Sequence, residues 1–147
     1  GFQVVVESAL LPGALIQNHT QKFICKTVPI RVENASTPFS CECVKKSVLD
    51  IPIAHHQGSY FIGPDGLRQL VDNQQVVFRY CGPEGEVTGQ YNPNGSVDNI
   101  AGIVNKNKNV MGLMPHPERC ADAVWSNLDG QLIFKSMIQS LQRGILS

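Results

Sequence analysis

The sequence contains little charge and no excess of either sign. Among its 147 residues, 12 Lys and Arg balance 12 Asp and Glu, and charged residues make up only 16% of the chain. Proteins that bind nucleic acid or an anionic membrane surface usually carry a basic excess that attracts phosphate groups. The composition therefore argues against a nucleic-acid partner and favours small-molecule chemistry or protein partners.

Long apolar runs and a zinc-type cysteine spacing are also missing. A membrane-spanning helix needs roughly 18 apolar residues, and no segment approaches that length. The first residues do not place a basic segment before an apolar one, as a signal peptide would. Five cysteines, an odd number, show no C-x₂-C pair. We therefore expect no metal site, no membrane association, a cytoplasmic protein, and reduced cysteines in buried or half-buried positions.

The remaining composition and the apolar spacing predict an α/β fold. Hydrophobic residues make up 42% of the chain, enough for one domain with a real core. The predicted helices cover 2–11, 64–73 and the region after Asp129, and the predicted strands cover 22–33, 47–54, 76–80, 100–105 and 110–114. Pro29, inside the first of these strands, suggests an edge or a break. Asp129 is a plausible N-cap for the last helix. These elements indicate an open sheet flanked by helices, forming one domain or part of one.

The strongest chemical signal is a histidine and a glutamate at the end of the last predicted strand. His116 and Glu118 alternate with Pro115 and Pro117. Proline restricts the residue before it to extended conformations, and residues i and i+2 of an extended segment project to the same side. Glu118 can then orient one imidazole nitrogen of His116 and leave the other free as a base. The alternative is a surface turn whose glutamate is merely solvated.

Ten stretches of the sequence together resemble a known family, in matching order and spacing over essentially the whole chain. They are Gly1-Phe2-Gln3, Leu10-Leu11-Pro12-Gly13-Ala14, Phe23-Ile24-Cys25, Val32-Glu33-Asn34, Thr37-Pro38-Phe39, Ile51-Pro52-Ile53-Ala54-His55, Asn94-Gly95-Ser96, Asn99-Ile100-Ala101-Gly102, Gly112-Leu113-Met114-Pro115-His116-Pro117-Glu118-Arg119 and Asp129-Gly130. With them the sequence resembles the class I glutamine amidotransferases, and among them the glutaminase subunits of phosphoribosylformylglycinamidine synthase. The resemblance implies a flavodoxin-like open sheet, of which residues 1–147 resemble the C-terminal part.

The resemblance also implies roles for individual residues. His116 would be the general base and Glu118 would orient it. Gln3 would help to hold the substrate glutamine. The segment from Asn34 through Thr37 to Phe39 would line the glutamine pocket, mainly through backbone groups.

The family's nucleophile is a cysteine that would lie two positions before Gly1. The resemblance therefore implies a domain whose nucleophile and earlier strands are not among these residues, and we expect this chain alone to be inactive. Cys120 lacks the strand, tight turn and helix that an elbow nucleophile needs. The adjacent His55 and His56 would point to opposite faces of a strand, so they do not suggest a shared metal ion.

The function implied by the resemblance is hydrolysis of glutamine to glutamate and ammonia. The ammonia would pass to a synthetase subunit that converts formylglycinamide ribonucleotide to the amidine with ATP, in purine biosynthesis. The implied partners are a large synthetase subunit and a small bridging subunit. ATP and magnesium would belong to the synthetase, and this chain would need no cofactor. The alternative hypothesis is a non-catalytic fragment or interaction module.

Overall fold

A five-stranded antiparallel sheet forms the centre of the molecule. The computed structural model describes residues 1–122, 124 and 127–144; Trp125, which the sequence suggested as a packing residue, lies outside them. The strands lie in the order β3-β2-β5-β6-β7, and each pairs antiparallel with its neighbours. Their bounds are β2 Ile24–Val32, β3 Val48–His55, β5 Val76–Tyr80, β6 Ile100–Val104 and β7 Met111–Leu113. All five predicted strands are therefore confirmed within about two residues at each end.

Pro29 lies in the part of β2 where one side is an edge, so the predicted edge is confirmed locally, whereas the predicted break is wrong because β2 runs continuously from Ile24 to Val32. β2 pairs with β3 from Ile24 to Arg31, but with β5 only from Ile30 to Val32. The carbonyl of Pro29 accepts the amide of Cys81, one residue beyond the end of β5. Because the N–H and C=O of a strand residue point the same way, the donor that proline lacks would also face this point, just beyond the end of the β5 ladder. The strand therefore accommodates the proline without a break.

A second sheet of two short strands was not predicted. β1 (Ala14–Ile16) pairs antiparallel with β4 (Ser59–Phe61). Each strand has only three residues, too few for an alternating pattern to stand out. The inward side chain of Tyr60 is 1% exposed, stacks on Phe2 with the ring centroids 5.6 Å apart, and donates its hydroxyl to the carbonyl of Pro12. The small sheet therefore ties the N-terminal helix to the rest of the domain.

In the described part of the chain, three α-helices cover the two faces of the main sheet. α1 (Phe2–Glu7) is shorter than predicted, α2 (Pro64–Asp72) agrees with the sequence, and α3 (Gly130–Gln142) is the expected last helix. Phe2 of α1 and Leu70 of α2 pack with Ile100 and Ile103, whereas Ile133 of α3 packs with Ala101 and Val104 on the opposite face. The prediction of a mixed α/β sheet flanked by helices is thus confirmed. None of the helices within the described residues is long and apolar enough to span a membrane.

Asp129 begins α3 but does not cap it. The residue occupies the N-cap position, yet its carboxylate makes no hydrogen bond to the helix. Instead, Oδ2 accepts the backbone amide of Asp50 at 2.7 Å, and the Asn127 side chain donates to the Asp50 carbonyl. The predicted capping role is therefore wrong, because the side chain ties α3 to the middle of β3 instead.

Candidate active site

The backbone of His116 is held between two strands of the main sheet. β7 ends at Leu113, and the amide of Met114 donates to the carbonyl of Ala101 in β6. Two residues later the amide of His116 donates to the carbonyl of Pro52 in β3, at 2.7 Å. Because β3 and β7 lie at opposite ends of the strand order, this bond closes the curled sheet beneath the histidine. The sheet therefore fixes the position of the imidazole.

His116 and Glu118 form the predicted pair. Nδ1 of His116 lies 2.7 Å from Oε1 of Glu118, and the two side chains are 33% and 57% exposed. Glu118 is not in extended chain, however, because Pro117–Cys120 forms a short 3₁₀ helix that begins immediately after His116. The predicted contact is confirmed, but the conformation that produces it is a tight turn. The catalytic role of the pair stays a prediction at this point.

The turn that carries Glu118 packs directly against the start of α3. A Cβ atom added to Gly130 would lie 2.1 Å from the carbonyl oxygen of Pro117 and 2.9 Å from that of Cys120. The side-chain amide of Gln131 donates to the carbonyl of Ala121. Only glycine permits this close approach, which therefore fixes the 3₁₀ helix on α3.

Gln3 reaches the same region through the packing of α1 on β7. A Cβ at Gly112 would lie 2.2 Å from the ring of Phe2, so the ring rests on bare strand backbone. This close contact brings the first residues of α1 beside the end of β7. The exposed side chain of Gln3 donates its amide to Glu7 at 2.8 Å.

An open cleft of about 660 Å³ is lined by Gln3 of α1 and by the His116–Glu118 pair. Its walls come from the start of α1, the end of β7 with its turn, and one face of α3. The lining residues include Gly1, Gln3, Gln57, His116, Glu118 and Met137. Among the described residues no partner is found for Nε2 of His116. The cleft therefore offers an oriented imidazole with one nitrogen available for proton transfer.

The remaining predicted substrate residues lie elsewhere. Asn34, Thr37 and Phe39 are at most 8% exposed and do not line the cleft of His116. Asn34 donates to the carbonyl of Gln74 and accepts the amide of Ser36, whereas the hydroxyl of Thr37 lies 2.6 Å from that of Ser40. These side chains hold their own loop together. Their part in binding glutamine stays a prediction, and any contribution would come from the backbone of the loop.

None of the five cysteines lines the cleft. Cys43, Cys81 and Cys120 are buried, Cys41 is half-buried, and Cys25 is exposed, contrary to expectation. Burial raises the thiol pKa of Cys43 and of Cys81 to about 11, so neither forms a thiolate readily at neutral pH. Burial also raises the pKa of the Cys120 thiol, whose Sγ faces the carbonyl of Pro117. The chemistry of the cleft therefore does not use any of these thiols.

Sequence reasoning missed Gln57 as a residue of the site. It lies in the turn between β3 and β4 and lines the cleft that contains His116. The only signal in the sequence was its position just past the C-terminal end of a predicted strand, where ligands often bind. Within the described part of the chain, no three His, Cys, Asp or Glu side chains come together as a metal site would require.

Comparison with known proteins assigns this architecture to a family. The model of the CobB/CobQ-like glutamine amidotransferase domain matches residues 1–139. The chain belongs to this family. The matched residues include α1, α2, both sheets, the His116–Glu118 turn and most of α3.

Two similar curated proteins bear the same name. Phosphoribosylformylglycinamidine synthase subunit PurQ of Acaryochloris marina is 51% identical over 141 residues, which are 96% of this chain and 60% of that protein. The subunit PurQ of Symbiobacterium thermophilum is 52% identical over 141 residues, with the same two coverages. The chain thus spans about 60% of the length of these relatives.

A solved structure shows the same fold. One chain in the structure of PurLQS from Thermotoga maritima is 41% identical to this chain and superposes with a TM-score of 0.80. The match covers 96% of this chain and 58% of that chain. The amidotransferase fold implied by the sequence resemblance is therefore confirmed for the part of the fold that the chain spans.

Proposed function

We propose that the protein to which this chain belongs hydrolyses glutamine and supplies the ammonia to phosphoribosylformylglycinamidine synthase. The observation that carries the proposal is the 2.7 Å His116–Glu118 pair, held over an open cleft in a chain of the amidotransferase family. Relatives with about half of their aligned residues identical are named as PurQ subunits of that synthase. The name supports the choice of pathway, and the geometry supports the reaction type.

In the proposed reaction His116 moves protons between a cysteine, the substrate and water. By the family resemblance, that cysteine would lie two positions before Gly1, next to the wall that Gln3 lines. The thiolate attacks the δ-amide carbon of glutamine, and the protonated imidazole gives its proton to the leaving nitrogen. Ammonia departs, and a thioester between the cysteine and the glutamyl group remains. His116 then takes a proton from water, which attacks the thioester and releases glutamate. Glu118 keeps Nδ1 as the donor side and stabilises the imidazolium at each step.

The ammonia then passes to a partner. We infer a large synthetase subunit and a small bridging subunit, because the name PurLQS of the similar structure from Thermotoga maritima joins PurQ with two further components. ATP and magnesium would belong to the synthetase subunit. The chain contributes the glutaminase half of the complex, in which glutamine binding would involve Gln3 and the loop of Asn34, Thr37 and Phe39.

The test compares two histidines in the complete protein. His116→Ala should lower the rate of glutamine hydrolysis about 10³-fold or more, because it removes the base that activates the nucleophile. His19→Ala is the matched control, since His19 is exposed and lies outside the cleft. Ammonia release is measured with a coupled glutamate dehydrogenase assay. Wild-type activity in His116→Ala would overturn the proposal.

The non-catalytic alternative has one observation in its favour. Because none of the five cysteines lines the cleft, these 147 residues by themselves offer His116 no thiol to activate. A polypeptide of these residues should therefore release no ammonia from glutamine, whatever the complete protein does. Measurable glutaminase activity from that polypeptide would contradict this reading.

A further inference from the structure

The turn between β3 and β4 carries the inference that goes beyond the proposed function and rests on it. Residues 55–58 join the end of β3 to β4, and Gln57 lines the same cleft as His116. His56 and Gln57 are exposed, whereas His55 and Gly58 on either side of them are buried. The buried His55 and Gly58 form a frame that holds the exposed side chains of His56 and Gln57.

Asn18 holds this frame through four hydrogen bonds. Its backbone amide donates to the carbonyl of His56 at 3.0 Å, and its Nδ2 donates to the carbonyl of His55 at 2.8 Å. Its Oδ1 lies 2.9 Å from Nδ1 of His55 and accepts the amide of Gly58 at 3.1 Å. Asn18 is 1% exposed. One buried residue therefore fixes three of the four residues of the turn, two of them through its side chain.

Asn94 holds the turn from the other side. This residue is fully buried, and its Nδ2 donates to the carbonyl of Gly58 at 2.8 Å. The same nitrogen lies 3.4 Å from Nε2 of His55 and 3.2 Å from the hydroxyl of Tyr80. Its Oδ1 accepts both the amide and the hydroxyl of Ser96, so the orientation of the Asn94 amide group is fixed.

These contacts determine the protonation of His55. Nδ2 of Asn18 donates to the carbonyls of Lys22 and His55, so Oδ1 must face the imidazole, and Nδ1 of His55 must donate to it. Nε2 then accepts from Asn94 and cannot carry a second proton without opposing a donor. Burial, and next the charge of His116, lower the pKa of His55 to about 4. The imidazole is thus a neutral donor–acceptor bridge between the two asparagines.

Gly58 packs closely against the imidazole of His55. A Cβ at Gly58 would lie 2.2 Å from Nδ1 of His55, so the glycine backbone lies flat against the imidazole ring. His55 also ends the strand whose Pro52 carbonyl receives the amide of His116. The turn, the strand and the catalytic pair therefore form one connected frame.

We propose that Gln57 is a substrate-contacting residue of the glutaminase cleft, and that His55 is the positioning residue that sets it there through Asn18 and Asn94. The side-chain amide of Gln57 offers both a donor and an acceptor, which suit the α-amino and α-carboxylate groups of the substrate. Binding of glutamine, rather than proton transfer, is the step that Gln57 serves. Loss of its side chain should therefore raise KM more than it lowers kcat.

The experiment compares two replacements of His55 in the complete protein, asparagine and aspartate, which are isosteric with each other and differ in offering a donor or an acceptor to Asn18. His55→Asn places an amide nitrogen where Nδ1 stood and keeps the donor to Asn18, so KM for glutamine should stay within about threefold of wild type. His55→Asp places an acceptor against the acceptor Oδ1, so KM should rise about tenfold or more. Gln57→Ala should raise KM by a similar factor. Because the side chain of Gln57 is exposed, this variant removes no core contact.

A double variant shows whether His55 acts through Gln57. If it does, His55→Asp/Gln57→Ala should have a KM within about threefold of Gln57→Ala alone, rather than the product of the two effects. Gln75→Ala is the matched control for lost stability, because Gln75 is buried like His55 and its side chain donates to the carbonyl of Val104, away from the turn and outside the cleft. It should lower the melting temperature and leave KM unchanged.

The outcomes separate this inference from the proposed function. A complete protein without glutaminase activity would overturn both. An active wild type with an inactive His116→Ala variant, combined with unchanged KM in Gln57→Ala, would overturn this inference alone. Multiplicative effects in the double variant would also overturn the positioning role of His55.

Discussion

His116 and His55 are two histidines of one frame with opposite surroundings. His116 is one third exposed, with a carboxylate on one nitrogen and the cleft on the other side. His55 is 7% exposed, and each of its nitrogens faces an asparagine. A carboxylate partner supports a ring that gains and loses a proton, whereas a fixed donor on one side and a fixed acceptor on the other hold the ring neutral. The difference is what the proposed roles require, a reacting group at His116 and a positioning group at His55.

The largest expected effect on this comparison comes from replacing Glu118, the partner of His116. In Glu118→Gln the amide can donate to Nδ1, which favours the tautomer with its proton on Nε2 and leaves no free base. We expect kcat for glutamine hydrolysis to fall about 10²- to 10⁴-fold, with KM little changed. Steady-state kinetics of the complete protein measure it.

The control for this variant is Glu84→Gln, at an exposed glutamate outside the cleft. It should retain the wild-type kcat. If Glu118→Gln also retained the wild-type kcat, the carboxylate would not orient His116, and the two histidines would differ only in exposure.

The next largest effect concerns the pH dependence of stability. In the folded protein the pKa of His55 is lowered to about 4, whereas in the unfolded chain it is 6.5. The unfolded state therefore binds the extra proton first, and the stability that His55 contributes is complete above pH 6.5 and is lost as the pH falls towards 4. The difference between the two pKa values corresponds to about 3 kcal/mol in the free energy of unfolding.

His55→Asn isolates this contribution, because asparagine does not titrate. Urea unfolding of both proteins between pH 7.5 and 4 gives the difference in free energy of unfolding. As the pH falls from 7.5 to 4, we expect the variant to gain about 3 kcal/mol in free energy of unfolding relative to the wild type. A difference that does not vary with pH would mean that His55 titrates normally and that its two asparagine partners do not hold it neutral.

A smaller effect comes from the glycine that packs on His55. In Gly58→Ala the new methyl group would collide with the imidazole, so the ring or the turn must shift and the bonds to Asn18 lengthen. We expect a loss of about 1–3 kcal/mol in the free energy of unfolding. Gly63→Ala is the control, since a Cβ there meets no atom within 4 Å. Equal stability of the two variants would show that the turn is not tightly held.

The sequence predicted the contact of His116 but not those of His55. His116 and Glu118 are two residues apart, so local chain geometry was enough to predict their contact, even though the turn proved to be 3₁₀ rather than extended. His55 meets its partners Asn18 and Asn94 across 37 and 39 residues. No local pattern encodes such distances, because they depend on how the strands assemble.

The same reason explains the errors in the fold. The five longer strands have apolar spacing that shows in the sequence, whereas β1 and β4 are three residues each and are defined by their mutual pairing. Pro29 signals the local edge of β2, but the sequence does not show that β2 becomes a central strand at Ile30, because that depends on where β5 ends. Asp129 makes no side-chain cap because its partner, the amide of Asp50, lies 79 residues away, too far for a local pattern to show.

The smallest expected effect tests whether the turn acts through Gln57 or through its neighbour. The side chain of His56 is exposed, and only its backbone carbonyl takes part in the frame, by accepting the amide of Asn18. His56→Ala keeps that carbonyl, so we expect KM and kcat within twofold of wild type and a change below about 0.5 kcal/mol in the free energy of unfolding. A rise in KM as large as that of Gln57→Ala would mean that the wall of the cleft includes His56. The contrast would then lie between His116 and two histidines of the turn, one that positions and one that binds.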